Sequence, residues 1–217
     1  KVRYGLMLRE DGFCYDDGTT ARLAENHFVM TTTTANAAVV FRNMEFARQC
    51  LWPELDVHLI STTDGWAQFA VAGPNSRALL SKVVDDLDLS SEAFPFMGCA
   101  ECTVIGGMPA RLFRISFSGE LAYELAVPTR YGDALIRALM QVGEEFDVTP
   151  YGIEALSVMR IEKGHAAGSE LNGQTTAENL GLGGMVSKKK DGIGSALSRR
   201  PEMIREDGLR LVGFRPV

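Results

Sequence analysis

Between Trp66 and Gly143 the apolar pattern alternates between a two-residue and a helical period, which confines this stretch to an α+β unit. "WAQFAVAG" sets Trp66, Gln68 and Ala70 against Ala67, Phe69 and Val71, as a strand does. Gly73-Pro74 then opens "NSRALLSKVV", a predicted helix with proline near its first turn. "ECTVIGG" and "MPARLFRISFSG" predict a hairpin across Gly106 and Gly107, with Phe113, Ile115 and Phe117 on one face and Leu112, Arg114 and Ser116 on the other. "AYELAVP" reads as another strand, and "TRYGDALIRALMQVG" as a helix turning Tyr131, Leu135, Ala138, Leu139 and Val142 inward. The order gives most of the split β-α-β plan of a ferredoxin-like unit.

On the N-terminal side, "VRYGLMLRE", "GFCYDD", "GTTARL" and "HFVMTT" read as short strands punctuated by Gly12, Gly18 and Asn26. Val40, Met44, Ala47 and Leu51 recur at helical spacing between Thr34 and Trp52, and Pro53 ends that helix. "VHLISTT" has the composition of a strand. Further on, "TPYGIEALSVMRIEKG" predicts a helix capped by Thr149, with Pro150 in its first turn and Gly164 at its end. The Gly-rich "HAAGSELNGQTTAENLGLGG" has no period and is longer than an ordinary connection.

Bulk properties remove several function classes. With 46% hydrophobic and 23% charged residues the 217-residue chain has ordinary globular usage. A net charge of -6 and a pI near 5.2 argue against a nucleic-acid partner, and the one basic run, Lys188 to Lys190, reads as a solvated patch. No apolar run is long enough for a membrane span, and "KVRYGLMLRE" is not a signal peptide, so a cytoplasmic location is expected. Cys14, Cys50, Cys99 and Cys102 form no pattern backed by histidine, so no metal site is expected.

Three places carry candidate chemistry. Asp16 and Asp17 are adjacent, and an Asp-Asp-Gly turn would account for them. In a strand, however, neighbours face opposite sides, so the two cannot address one ligand. Glu120 follows Ser118-Gly119, where the backbone can bend and present a carboxylate. Arg160, Glu162 and His165 cluster at a predicted helix end, where basic side chains ordinarily serve the helix dipole. No Ser-His-Asp elbow, P-loop or dinucleotide fingerprint is present.

The ordered set "YGLMLREDGFCYDD", "HFVMTTTTANAA", "GWAQFAVAGP", "RLFRISFSGELAYEL", "TPYGIEALSVMRIEKGH" and "LNGQTTAENLGLGGMVSKKKDGIG" resembles the tetrahydrofolate-binding aminomethyltransferase family, typified by the T-protein of glycine cleavage. "LWPELDV" and "RISFSGELAYELAVP" resemble the branch of folate domains in the alpha subunits of heterotetrameric sarcosine oxidases. The resemblance implies a cloverleaf of ferredoxin-like α+β lobes around a folate channel, of which this chain is a fragment. Residues 1–62 would belong to the first lobe, 63–143 to the second, 144–190 to a return segment, and 191–217 to the start of a C-terminal β-barrel.

The resemblance also implies residue roles. Asp17 matches the second aspartate of the family's "IDD" motif, the acid/base and electrostatic residue beside the reacting folate nitrogens. Glu120 matches the glutamate of the "TGE" turn that holds the pterin, with Thr31, Phe117 and Arg160 as further folate-site positions. Thr31 and Phe117 replace the family's Asn and Tyr, and Gly192 stands where an aromatic residue is common. The implied activity is folate-dependent one-carbon transfer, forming 5,10-methylenetetrahydrofolate from the imine or formaldehyde product of amine oxidation. The implied cofactor is tetrahydrofolate, with FAD, FMN and NAD in other parts of the complex and the other oxidase subunits as partners. Alternatives are a stand-alone aminomethyltransferase of glycine cleavage and a non-catalytic scaffold for subunit contacts.

Overall fold

The computed structural model describes residues 1–215. Twelve elements follow in the order β1 (Val2–Leu8), β2 (Phe13–Ala24), β3 (His27–Met30), α1 (Ala37–Phe46), β4 (Trp66–Ala72), α2 (Ser76–Leu80), β5 (Cys99–Val104), β6 (Met108–Phe113), β7 (Ala122–Pro128), α3 (Gly132–Gly143), α4 (Ile153–Lys163) and β8 (Thr175–Thr176), with short 3-10 or π turns between them. The chain is therefore α+β, as its periodicity requires. It divides into two compact units. The first takes Lys1–Arg3, Ala21–Val29 and Thr62–His165; the second takes Tyr4–Thr20, Met30–Ser61 and the described chain from Ala166 onward.

In the first unit β4, β7, β6 and β5 form an antiparallel sheet in that order. One face buries Leu112, Tyr123, Leu125 and Val127 with Leu80 of α2 and Leu135 of α3. The inward stripe expected of α3 is realised: Leu135 and Leu139 are buried, and Tyr131 and Val142 pack on the same core. On the other face Phe113 and Ala126 join a smaller cluster with Val2, Ala21 and Ile115, flanked by Trp66. The β5–β6 hairpin turns through Ile105, Gly106 and Gly107, all at positive φ. Asp85 fixes the turn by accepting both glycine N–H groups, at 3.1 and 2.9 Å.

In the second unit a small core gathers Cys14, Ala166, Leu171, Ala177 and Leu180. β8 pairs with β2, placing Thr176 opposite Phe13 and Thr175 opposite Cys14. β1, β2 and β3 are neighbours in that order.

Five local expectations are corrected. "GFCYDD" and "GTTARL" are one continuous strand, β2, so the Asp pair is not a turn. "VHLISTT" forms no strand, and His58, Ser61 and Thr62 are exposed. β6 stops at Phe113, and 114–121 is a loop rather than a continuation of the hairpin. α2 is limited to Ser76–Leu80, and α4 starts at Ile153 behind Gly152 rather than at a Thr149 cap.

Candidate functional site

Strand alternation along β2 buries Cys14 and Asp16 completely and leaves Tyr15 and Asp17 half-buried on the opposite face. The two aspartates thus have unlike surroundings. Asp17 Oδ2 accepts the Tyr4 hydroxyl at 2.7 Å. Burial, followed by this hydrogen bond and the Asp17 charge, pushes the Tyr4 phenol well above its ordinary range, with Cys14 and Asp16 adding to it. Asp16 Oδ2 accepts the Thr33 backbone N–H at 3.3 Å, while Oδ1 has no hydrogen-bond partner among the described residues.

Gly18, next in the strand, is required by a close approach rather than by a bend. A Cβ there would lie 1.9 Å from the Thr31 carbonyl oxygen. Thr31 is itself committed to β2, since its N–H donates to Thr19 O at 2.8 Å and the two threonine hydroxyls are 2.8 Å apart. The Thr31 side chain is therefore engaged with protein, whereas Asp17 sits between two clamped neighbours.

The two buried thiols, Cys14 beside Asp17 and Cys102 beside Asp86 and Asp85, are poor nucleophiles. Burial and the Asp17 charge push Cys14 up to about 11, and burial with Asp86 and Asp85 pushes Cys102 to about 12. Among the described residues no group of three or more His, Cys, Asp or Glu is placed to hold a metal ion.

In the first unit the loop 114–121 carries two of the expected residues. Gly119, at φ 101°, donates its N–H to Ser116 Oγ at 2.8 Å, and Lys163 Nζ donates to the Ser116 carbonyl at 2.5 Å. The Lys163 side chain lies along the loop, 3.3 Å from where a Gly119 Cβ would stand. Phe117 meets the His165 ring edge-on, with centroids 4.8 Å apart, and Arg160 donates to the His165 carbonyl at 3.2 Å. Glu120 is exposed at the loop tip.

Sequence reasoning missed one carboxylate. Glu124 is half-buried in β7, opposite Ala70 of β4 and Phe113 of β6, and its Oε2 accepts the Gln68 amide. Burial alone pushes its carboxyl up to about 7. The Tyr151 phenol, raised first by burial, also feels the Glu120 and Glu124 charges. The available signal was alternation: Glu124 falls on the sheet face of Gln68 and Trp66, interrupting an otherwise apolar strand.

Comparisons with known proteins find relatives of the whole chain. The sarcosine oxidase subunit alpha of Rhizobium meliloti (strain 1021) is 55% identical over 219 residues, which cover 100% of this chain and 22% of that protein. The aminomethyltransferase of Streptomyces coelicolor is 30% identical over 194 residues, covering 88% of this chain and 50% of its own length. The crystal structure of glycine cleavage system aminomethyltransferase T from Bartonella henselae matches with a TM-score of 0.76 at 24% identity, over 91% of this chain and 51% of that one, and shows the same fold. The chain thus spans about a fifth of the oxidase subunit's length. A family model described as the GCVT N-terminal domain matches residues 1–190, and the chain belongs to that family.

Proposed function

We propose that this chain is the tetrahydrofolate-dependent one-carbon transfer domain of a sarcosine oxidase alpha subunit. The observation that carries this reading is the 55% identity along the whole chain with such a subunit, against 30% with an aminomethyltransferase. That difference favours the oxidase over a stand-alone glycine-cleavage enzyme. Asp16, Asp17 and Glu124 each have a hydrogen-bond donor from the protein, which a non-catalytic scaffold does not require.

The residues present suit a reduced pterin, whose ring edge offers N–H donors and whose amine loses a proton on reaction. Tetrahydrofolate supplies the nucleophilic nitrogen that takes up a one-carbon unit, yielding 5,10-methylenetetrahydrofolate. Asp17 accepts that proton and stabilises the positive charge of an iminium donor. Glu120 offers carboxylate oxygens to the pterin edge. Phe117, held by His165, contributes an apolar wall, and Arg160 supports it through the His165 carbonyl. Thr31 contributes its backbone, because its hydroxyl is held by Thr19. Glu124 adds a second acceptor in the same unit as Glu120, with a proton affinity matched to neutral pH.

Lobe boundaries at residues 62, 143 and 190, a barrel beginning after residue 190, a cytoplasmic location and assembly with other oxidase subunits complete the proposal. Flavin and nicotinamide chemistry belongs to other parts of that complex. No helix of the described residues is long and apolar enough to cross a membrane.

Calorimetric titration of the full-length parent protein with tetrahydrofolate tests the reading. Wild type should bind. Glu120→Ala and Glu124→Ala should each weaken binding about tenfold or more, in line with the loss of a charged hydrogen-bond acceptor. Asp17→Ala should bind but transfer at least about a hundredfold more slowly. Heat of binding indistinguishable from dilution in the wild type would sink the folate reading.

A further inference from the structure

We infer that Tyr4 is a positioning residue that acts through Asp17: its hydroxyl commits Oδ2 to the protein and so sets the plane of the carboxylate. The inference rests on the reading of Asp17 as the acid/base of one-carbon transfer and adds a residue which that reading does not contain.

Three observations carry it. The Tyr4–Asp17 hydrogen bond is short, 2.7 Å, and joins neighbouring strands, so both ends are anchored in the sheet. Asp16 is wholly buried next to Asp17 in β2, and its Oδ1 lacks a hydrogen-bond partner among the described residues. Tyr4 is near: Asp16, Asp17 and Cys14 all oppose loss of its proton. Among the titratable groups around Asp17, Tyr4 donates to it from β1, Cys14 of β2 feels its charge, and Asp16 adjoins it on the other face of β2. Ionised tyrosine could not donate, but a phenol keeps its proton to about pH 10 and burial raises Tyr4 further, so it remains a donor over the working pH range.

The two neighbours should move Asp17 in opposite directions. A phenol donating to the carboxylate favours its ionised form, so Tyr4→Phe should raise the acidic limb of the transfer rate by about one pH unit. A like charge disfavours ionisation, so Asp16→Asn should lower that limb by a similar amount. Asparagine can still accept the Thr33 N–H, which keeps the strand contact in place.

The experiment uses the intact parent protein, with transfer to tetrahydrofolate followed from about pH 5 to about pH 9. Tyr4→Phe is expected to lower kcat about tenfold or more while leaving the KM for tetrahydrofolate within about threefold. In parallel, 3-fluorotyrosine at position 4 of ligand-free protein reports Asp17 ionisation by fluorine NMR and separates it from the titration of Glu124. That signal should titrate in the acid range, shift downward in Asp16→Asn and vanish in Asp17→Asn. A Tyr4→Phe protein with an unmoved acidic limb, or a fluorine signal indifferent to Asp17, overturns the inference while tetrahydrofolate binding stands. Wild-type protein that binds no tetrahydrofolate overturns the functional reading and the inference with it.

Discussion

Glu124 shows how one buried atom pair couples ligand chemistry to folding. Its carboxyl is held up at about 7 by burial, above the roughly 4.3 of an unfolded chain, so the native state carries the extra proton between those values. The stabilisation it provides is complete below about pH 4.3 and is lost as pH rises through 7. Glu124→Gln removes that dependence and can still pair with Gln68. Urea denaturation should therefore find the variant gaining on wild type between pH 5 and pH 8, by up to about 3 kcal/mol. Equal differences at both pH values would show that Glu124 does not titrate in the fold. This residue was not legible in advance because a lone acid in an apolar strand reads as facing solvent. Only the register with β4 and β6 places it beside Ala70 and Phe113, where it is half-buried. Asp17 is the opposite case: alternation correctly requires the two aspartates to part, but which one is buried depends on Cys14 joining the core of the second unit.

At the scale of elements, α3 and the β5–β6 hairpin were readable because their signals are local. A 3.6-residue apolar period and a double-glycine turn need no distant partner. β2 was misread because Gly18 resembles a break, whereas its absent side chain answers to Thr31, thirteen residues away in sequence. Gly143 poses the same kind of constraint at the end of α3. A Cβ there would stand 2.2 Å from Val148 Cγ1 and 3.3 Å from Leu79 Cδ1. Alanine gains about 1 kcal/mol of helix propensity, but overpacking a closed site costs about 1–3 kcal/mol. Gly143→Ala should accordingly lower stability by about 1 kcal/mol in thermal or urea melts, and a rise in stability would show that Val148 yields freely.

For the whole molecule, apolar surface is the open account. α4 buries none of its residues, and Ile153, Val158 and Ile161 are 79%, 57% and 62% exposed. Trp52, Leu55, Val57 and Ile60 are likewise exposed in the second unit. Such surface drives association in water. The 217-residue chain should self-associate and bind a hydrophobic dye, and Ile153→Lys with Ile161→Lys should reduce both without lowering the melting temperature. Light scattering that finds the unmodified chain monomeric at high concentration would contradict this. Gly18 has a wider consequence. Because a methyl at that position would lie 1.9 Å from the Thr31 oxygen, position 18 works as a marker of backbone course. Any homologous chain with a side chain there must route its counterpart of Thr31 more than an ångström farther from β2, giving up the threonine clamp, so one letter of sequence sorts the family by the geometry around its acid residue.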